Sequence, residues 1–319
     1  MSYNSSFKYI KRSLPLFAVL VIMFAFTGIL SPTFLKVENM MNIMLRLSPL
    51  LVASCGQTFV ILLSGIDMSL GAVVSLTTSV IALGSIGSIS SPILLVFLSF
   101  ALGIGFGLLN GYFVYKGIAP IIMTIGTSVI AKGIALIIRP IPGGMVSLEL
   151  AEFLGLEFGG IFSVPMIISF SFFLFLMWIL HWTRFGRHLY ATGANRDAAK
   201  RAGVEVKKTI ILAYVISSIS AVVCGLLVVG QIWSGDALIG EVYTMDSVTS
   251  VLVGGTTFTG GEGGLLGTFA GAFIISMLSN ILNMLNVFSY FQYIIKGLIL
   301  IVSIFISFRF FSRRRKVYE

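Results

Sequence analysis

The sequence predicts an all-α, polytopic integral membrane protein of about ten transmembrane helices, some of them broken by glycine-rich segments. Three observations predict it. Of the 319 residues, 57% are hydrophobic and only 10% are charged, against about 25% charge in a soluble globular chain. Apolar runs of membrane length recur throughout, and at ~20 residues per spanning helix there is room for about ten. The formal net charge of +9 would suggest nucleic acid in a soluble protein. Here it is gathered into a few loops and termini, which is the pattern that orients membrane proteins. The whole of 1–319 reads as a single transmembrane domain.

The first apolar run, 14–30, follows Lys8, Lys11 and Arg12. It is long for a signal-peptide core and no A-x-A cleavage site follows, so an uncleaved helix with a cytoplasmic N-terminus is expected. A second span, 42–63, runs into the break SGIDMSLG at 64–71. A third covers 72–86 and a fourth 92–115, with Lys116 at a short turn. The fifth begins at Pro120, a residue suited to a first helical turn, and ends near Ile138. Residues 139–162 form the longest outward loop, and VSLELAEFL within it fits a short surface helix with apolar and acidic faces. A sixth span, 164–180, leads into the central loop 183–208, and a seventh, 210–229, leads out to 231–244. The chain then turns on the glycine-rich stretch 254–264, and two spans, 265–285 and 288–308, bring it to Arg309, Arg313, Arg314, Arg315 and Lys316.

The central loop TRFGRHLYATGANRDAAKRAGVEVKK carries Arg184, Arg187, Arg196, Lys200, Arg201, Lys207 and Lys208 against Asp197 and Glu205. Such a loop belongs on the cytoplasmic side. With ten spans, sixteen of the 21 Lys and Arg fall inside, while the outward loops hold Lys36 and Arg139. Within the loop, Asn195 is a good N-cap for a helix over 196–202, and Gly203 supplies a left-handed stop. This predicts a capped helix of about two turns. Its small alanines leave room for another protein to approach, so it reads as a docking element.

Enzyme chemistry finds little support. The dipeptide Gly-Lys never occurs, which excludes a P-loop phosphate cradle. Neither a nucleophile elbow nor HExxH is present. His181 and His188 bracket a membrane exit as interfacial polar residues. Cys55 and Cys224 sit inside apolar runs with no disulfide or metal spacing.

Charges inside spans are functional candidates, because an unsolvated and unpaired charge there costs several kcal/mol. Arg46, Asp67, Lys132 and Lys296 qualify. Arg46, Lys132 and Lys296 fall in the outer half, where they either snorkel to the interface or line a polar vestibule. Asp67, in the SGIDMSLG break, either caps a helix N-terminus or holds a gate. Asn110 and Thr124, with Gln57, Asn280 and Asn283, either line a path or bond helices together. The candidate path or gate residues are thus Asp67, Asn110, Thr124, Lys132 and Lys296. The 34 glycines permit close packing and broken helices, both common in transporters.

Four blocks carry a resemblance: GQTFVILLSGIDMSLGAVVSL (56–76), GLLNGYFVYKGIAPIIMTIGT (107–127), TRFGRHLYATGANRDAAKRAGV (183–204) and YTMDSVTSVLVGGTTFTGGEGGLLGT (243–268). Together, and in this order, they are similar to the permease subunits of bacterial ABC importers of the ribose/monosaccharide type, which are related to branched-chain amino acid permeases. The match departs at Thr244 and Met245, which precede Asp246 where a glutamate and a leucine are usual, and at TTF where TSL is commoner. The resemblance implies that Gly193, Asn195, Asp197, Ala198, Ala199 and Gly203 belong to the loop that docks on a cytoplasmic ATPase. It also implies a second permease copy or homologue, an extracytoplasmic solute-binding protein, and a bacterial inner membrane location with both termini cytoplasmic. ATP would then act through the partner ATPase, with no cofactor on this chain. An ion-gradient-driven secondary transporter is the alternative, and it would need an intramembrane relay for which Asp67 alone is poor. A membrane scaffold without transport fits neither the polar residues within spans nor the broken helices.

Overall fold

The structure is a computed structural model that describes residues 4–30, 33–85, 91–158 and 162–318. Ile86, the expected end of the third span, and 159–161 of the long outward loop lie outside the described residues. The first half of the chain forms α1 (Asn4–Leu30), α2 (Val37–Leu62), α3 (Leu70–Ile81), α4 (Pro92–Tyr115), α5 (Pro120–Ile138) and the short α6 (Leu148–Gly155). A 3-10 turn, Ala82–Ser85, extends α3. A two-residue ribbon, β1 (Glu157–Phe158) against β2 (Phe162–Ser163), leads into α7 (Val164–Trp182). The second half holds α8 (Arg184–Ala194), α9 (Arg196–Arg201), α10 (Val206–Ile232), α11 (Glu241–Val253), α12 (Leu265–Met284) and α13 (Ser289–Tyr318).

Among the described residues six helices are long and apolar enough to cross a membrane: α2, α4, α5, α7, α10 and α12. Helices α1 and α13 are 27 and 30 residues long, with apolar stretches Leu16–Ile29 and Ser289–Phe305 among their described side chains, whereas α3 is short throughout. At 12 and 13 residues, α3 and α11 extend only ~18–20 Å, short of the ~30 Å hydrocarbon core. Among the described residues the helices that meet the crossing criterion thus number fewer than the ten expected, and α3 and α11 account for two of the difference. The reason is local: the breaks at 63–69 and 254–264 consume the chain that would complete those two segments, leaving two half-length helices beside non-helical backbone. Such backbone is tolerated at membrane depth only where protein covers it.

The core forms around α10, which lies against α2, α3 and α4. A stripe of glycines on α4 makes the closest of these contacts possible. A Cβ on Gly107 would stand 2.7 Å from Val215 Cα, and one on Gly111 2.6 Å from Ile211 Cα. With Gly103 a turn earlier, the stripe is Gly-xxx-Gly-xxx-Gly, the small-residue spacing that lets membrane helices touch backbone to backbone. Helix α2 is buried along most of its length from Leu47 onward. By contrast α4, α5 and α7 turn Ile93, Phe97, Ile122, Val129, Phe170 and Trp178 outward, an apolar surface suited to lipid.

The helix ends segregate. Leu62 of α2, the start of α5, helices α8 and α9 and the 254–264 turn gather at one end, called the basic end below. At the opposite end Gly143 and Gly235 pair through two backbone hydrogen bonds of 2.9 Å, and Arg139 Nη2 donates to the Ala82 carbonyl at 2.7 Å. The two loops expected to share a face, 139–162 and 231–244, thus meet. The surface helix expected in the first of them is α6, with Glu149 and Glu152 exposed and Ala151 and Leu154 buried.

Candidate functional site

The basic end is built on two local capping events. Thr183 Oγ1 accepts the Gly186 N–H at 3.4 Å to start α8. Asn195 Oδ1 accepts the Ala198 N–H at 2.9 Å to start α9, satisfying an amide that has no partner within the helix. Gly203, at φ +80°, ends α9 in the left-handed region where glycine carries no Cβ penalty. Helix α9 has six residues, slightly short of the two turns expected. Asn195, Asp197, Ala198 and Lys200 are exposed along it.

Two of the expected docking residues do not face outward. Ala199 is only 5% exposed and packs towards its own chain. Gly193 is buried as well, and a Cβ there would stand 1.8 Å from the Leu62 carbonyl oxygen. The resemblance groups these residues as one loop, but α8 and α9 each turn one face to the body of the protein, so the grouped residues divide between surface and interior.

The Leu62 carbonyl is a junction. It accepts the Gly261 N–H at 2.9 Å, so the end of α2, the end of α8 and the glycine-rich turn meet at one oxygen. Two further bonds join the same elements, and a third closes the turn. Ser64, in the left-handed region at φ +62°, donates its hydroxyl to the Thr259 carbonyl at 2.7 Å. Tyr190 of α8 donates to the Gly263 carbonyl at 2.8 Å, and burial pushes its phenol above the usual tyrosine range. Thr257 N–H donates to the Glu262 carbonyl at 3.0 Å and closes the turn.

Behind this junction lies a polar cluster that brings Asp67, Asn110 and Thr124 together. Asp67 Oδ1 accepts the Ser69 N–H at 2.9 Å and the Ser69 hydroxyl at 2.5 Å, a local turn that leads into α3. Its Oδ2 accepts the Ser217 hydroxyl of α10 at 2.7 Å. Asn110 of α4 donates to Ser69 Oγ at 2.9 Å and accepts from Thr127 of α5 at 2.7 Å. Thr124 donates to the Ile66 carbonyl and accepts the Met68 N–H, both at 3.1 Å. Asp67, Asn110 and Thr124 are all 0% exposed. Of the two roles open to Asp67, the geometry displays turn capping; Asn110 and Thr124 tie α4 and α5 to the break rather than facing an open path.

Lys132 and Lys296 lie elsewhere, towards the opposite end, and each meets a carboxylate. Lys132 pairs with Glu241 at the start of α11, both partly exposed. Lys296 of α13 pairs with Asp246 of α11 at 2.6 Å, with side chains only 14% and 11% exposed. The second pair borders a cavity of about 720 Å³, within the ~300–1,000 Å³ range of small-molecule sites. Arg46, Glu157, Tyr243 and Ser276 line it too. Lys296 therefore points inward to a partner rather than snorkelling. Asp246 is absent from the residues expected to line a path: it sits in a helix too short to register as a span, among Thr244, Ser247 and Thr249, and its sequence signal is its place in the 243–268 block. Cys55 and Cys224 are free and buried, as small core residues.

Comparison with known proteins gives a consistent result. The family model for branched-chain amino acid transport system / permease component matches residues 39–304. The chain is 34% identical to the ribose import permease protein RbsC of Haemophilus influenzae, covering 90% of each. It is 32% identical to the Bacillus subtilis protein of that name, covering 91% of each. With the D-allose transport system permease protein AlsC of Escherichia coli it shares 31%, over 90% of this chain and 89% of the other. No solved structure gives a significant match.

Proposed function

The chain belongs to the permease-component family of branched-chain amino acid transport systems, membrane-spanning transport subunits rather than enzymes, and from that premise we propose that it carries a monosaccharide or related neutral polyol inward in an ATP-driven importer. The observation that carries the mechanism is the junction at the Leu62 carbonyl. An exposed, capped helix (α9) follows directly on a helix (α8) whose buried end rests on both broken segments of the bundle. A cytoplasmic ATPase bearing on Ala198 and its exposed neighbours would move α8. The backbone contacts at Gly193 and Gly261 would pass that movement to the breaks flanking α3 and α11. Packed elements with two arrangements convert a small displacement at one site into a change at another.

Membrane placement follows the charges. The basic end is cytoplasmic, as are both termini, in an inner-membrane protein of ten crossings in which α3 and α11 serve as half-length segments completed by the breaks. The cavity then opens towards a solute-binding protein on the outer side. A second copy or homologue of the chain completes the path. Ribose and D-allose in the names of relatives point to the cargo class, and the cavity chemistry agrees: Arg46 and Lys296 stand against Asp246 and Glu157, leaving no net charge to favour an ion.

Reconstitution in liposomes tests this. Ribose or allose uptake is expected only with the ATPase, ATP and the binding protein all present, and it should survive collapse of proton and sodium gradients. Gradient-driven uptake by the chain alone, lost in Asp67→Asn, would establish a secondary transporter instead. Ala198→Asp places a charge on the exposed face of α9 without entering the core. It is expected to abolish copurification with the ATPase while the chain still inserts, since an unpaired charge at a close interface costs several kcal/mol. Normal copurification and transport in that variant would remove α9 from the docking surface.

A further inference from the structure

We propose that Asp246 and Lys296 form a vicinal-diol subsite, the place in the cavity where two adjacent hydroxyls of the solute are recognised. The inference rests on the importer reading above and goes further, by assigning the contact to two residues and one chemical group.

The pair holds unused bonding capacity. The pair engages Asp246 Oδ2 and one N–H of Lys296, at 2.6 Å. A carboxylate has a second oxygen and an ammonium has three donors. Among the described residues no hydrogen bond reaches Asp246 Oδ1, and Lys296 makes no other. What remains is an acceptor and two donors side by side, in a largely desolvated setting. Adjacent hydroxyls match that arrangement: one donates to the carboxylate while its neighbour accepts from the ammonium. Both bonds are charge-assisted, the stronger class. The solute itself stays neutral, so no net charge has to be carried through.

A second observation points to the same cavity. Ser276, 3% exposed, and Ser163, 2% exposed, both line it, and neither hydroxyl has a hydrogen-bond partner among the described residues. Buried hydroxyls are normally satisfied, and an orphan needs a reason. A side-chain rotation that turns such a hydroxyl into the cavity lets a polyhydroxylated solute supply its partner. Depth fits as well. Asp246 lies five residues into α11 and Lys296 seven residues into α13, ~8–10 Å below their starts at the opposite end. A solute entering from that end meets the pair before reaching the Asp67 cluster.

An ion pair that only fastened α13 to α11 would show none of this selectivity for adjacent hydroxyls. The test reads binding to the full-length chain, so that a solute-binding protein cannot impose its own specificity. Ser279 lines the cavity and is partly exposed, whereas Cys55 and Cys224 are buried. A Ser279→Cys chain in nanodiscs is therefore alkylated at one place. Ribose, with adjacent hydroxyls at C2 and C3, should slow the alkylation. 2,4-Dideoxyribose, whose ring hydroxyls at C1 and C3 are not adjacent, should need at least about tenfold more sugar for equal protection, the loss expected when charge-assisted bonds are removed. Adding Asp246→Asn or Lys296→Gln should collapse the difference between the two sugars. Ser276→Ala, which keeps the pair, should weaken protection by both sugars while preserving the ratio. Equal protection by both sugars, or none by ribose, in the chain with native Asp246 and Lys296 overturns the subsite without reference to any variant's folding. In that event ATP-dependent uptake of ribose by the complete transporter would leave the importer reading standing, whereas loss of that uptake too would remove both.

Discussion

The two ends of the bundle are held by different kinds of contact. At the basic end the decisive atoms are backbone: the Leu62 carbonyl, the Gly261 amide, and glycines whose missing Cβ atoms let α8 and the 254–264 turn reach α2. At the opposite end the decisive atoms are side-chain charges, Lys132 with Glu241 and Lys296 with Asp246, beside a cavity. Backbone contacts at van der Waals distance are stiff and pass displacement from one element to the next. Long side chains around a void can change partners without moving their helices. The contrast suits a machine driven at one end and loaded at the other, and it can be broken experimentally at either end.

The largest effect is expected from Gly193→Val. Its Cβ would fall 1.8 Å from a carbonyl oxygen, and the nearest neighbours are backbone atoms that cannot rotate aside. Overpacking of a tight site already costs ~1–3 kcal/mol, and here a helix end must shift. Uptake in the reconstituted system should be abolished, and cysteine cross-linking between α8 and the 254–264 turn should report their separation. Wild-type uptake by Gly193→Val would show that the basic end tolerates slack and that the contrast is misdrawn.

Asp67 comes next, because its role lies between backbone and side chain. Asp67→Leu strands the Ser69 amide and the hydroxyls of Ser69 and Ser217. With ~1–3 kcal/mol for each buried group left unpaired, a loss of several kcal/mol is expected, measured as a lower melting temperature in detergent. Asp67→Asn keeps the shape and one acceptor oxygen, and the Ser217 hydroxyl can turn to accept from the new amide. A loss of about 1 kcal/mol and slower, still ATP-dependent uptake should follow. Equal damage from both variants would mean that the charge, not the hydrogen bonding, holds the break.

Much of this organisation was legible in the sequence. Hydropathy and charge asymmetry disclosed a polytopic helical protein, and the Asn195–Gly203 signature disclosed α9, because capping chemistry is local and is carried by residue types with few alternative uses. The surface helix in 139–162 was visible because its apolar and acidic residues separate onto two faces at helical spacing. Three features were hidden, each settled by tertiary packing. The half-length of α3 and α11 depends on where the breaks fold back. The inward turn of Gly193 and Ala199 depends on which face of α8 meets α2 and which face of α9 meets α10. The pairing of Lys296 depends on Asp246, fifty positions away in sequence. The polar residues of α4 and α5 were visible as polar, but only the fold shows that Asn110 and Thr124 bond to the break while Ser276 borders a void.

The smallest expected effect sharpens the comparison from within the opposite end, where two ion pairs of the same residue classes lie in different surroundings. Lys132 and Glu241 are 41% and 60% exposed at their side chains, so solvent and ions screen them. Exposed pairs contribute ~0–1 kcal/mol, and Lys132→Met should therefore lower stability by no more than about 0.5 kcal/mol and leave uptake near the wild-type rate. Lys296→Met removes the partner of a carboxylate that is almost fully enclosed, and breaking such a pair costs ~3–5 kcal/mol because the remaining charge is uncompensated. The two lysines carry the same charge and both lie inside helices, so nothing in their chemistry separates them; only burial does. A melting comparison of the two variants in one detergent measures that difference directly. If Lys132→Met proves as damaging as Lys296→Met, the Glu241 end of α11 is held as tightly as the Asp246 site, and the opposite end is braced along its whole length rather than at the cavity alone.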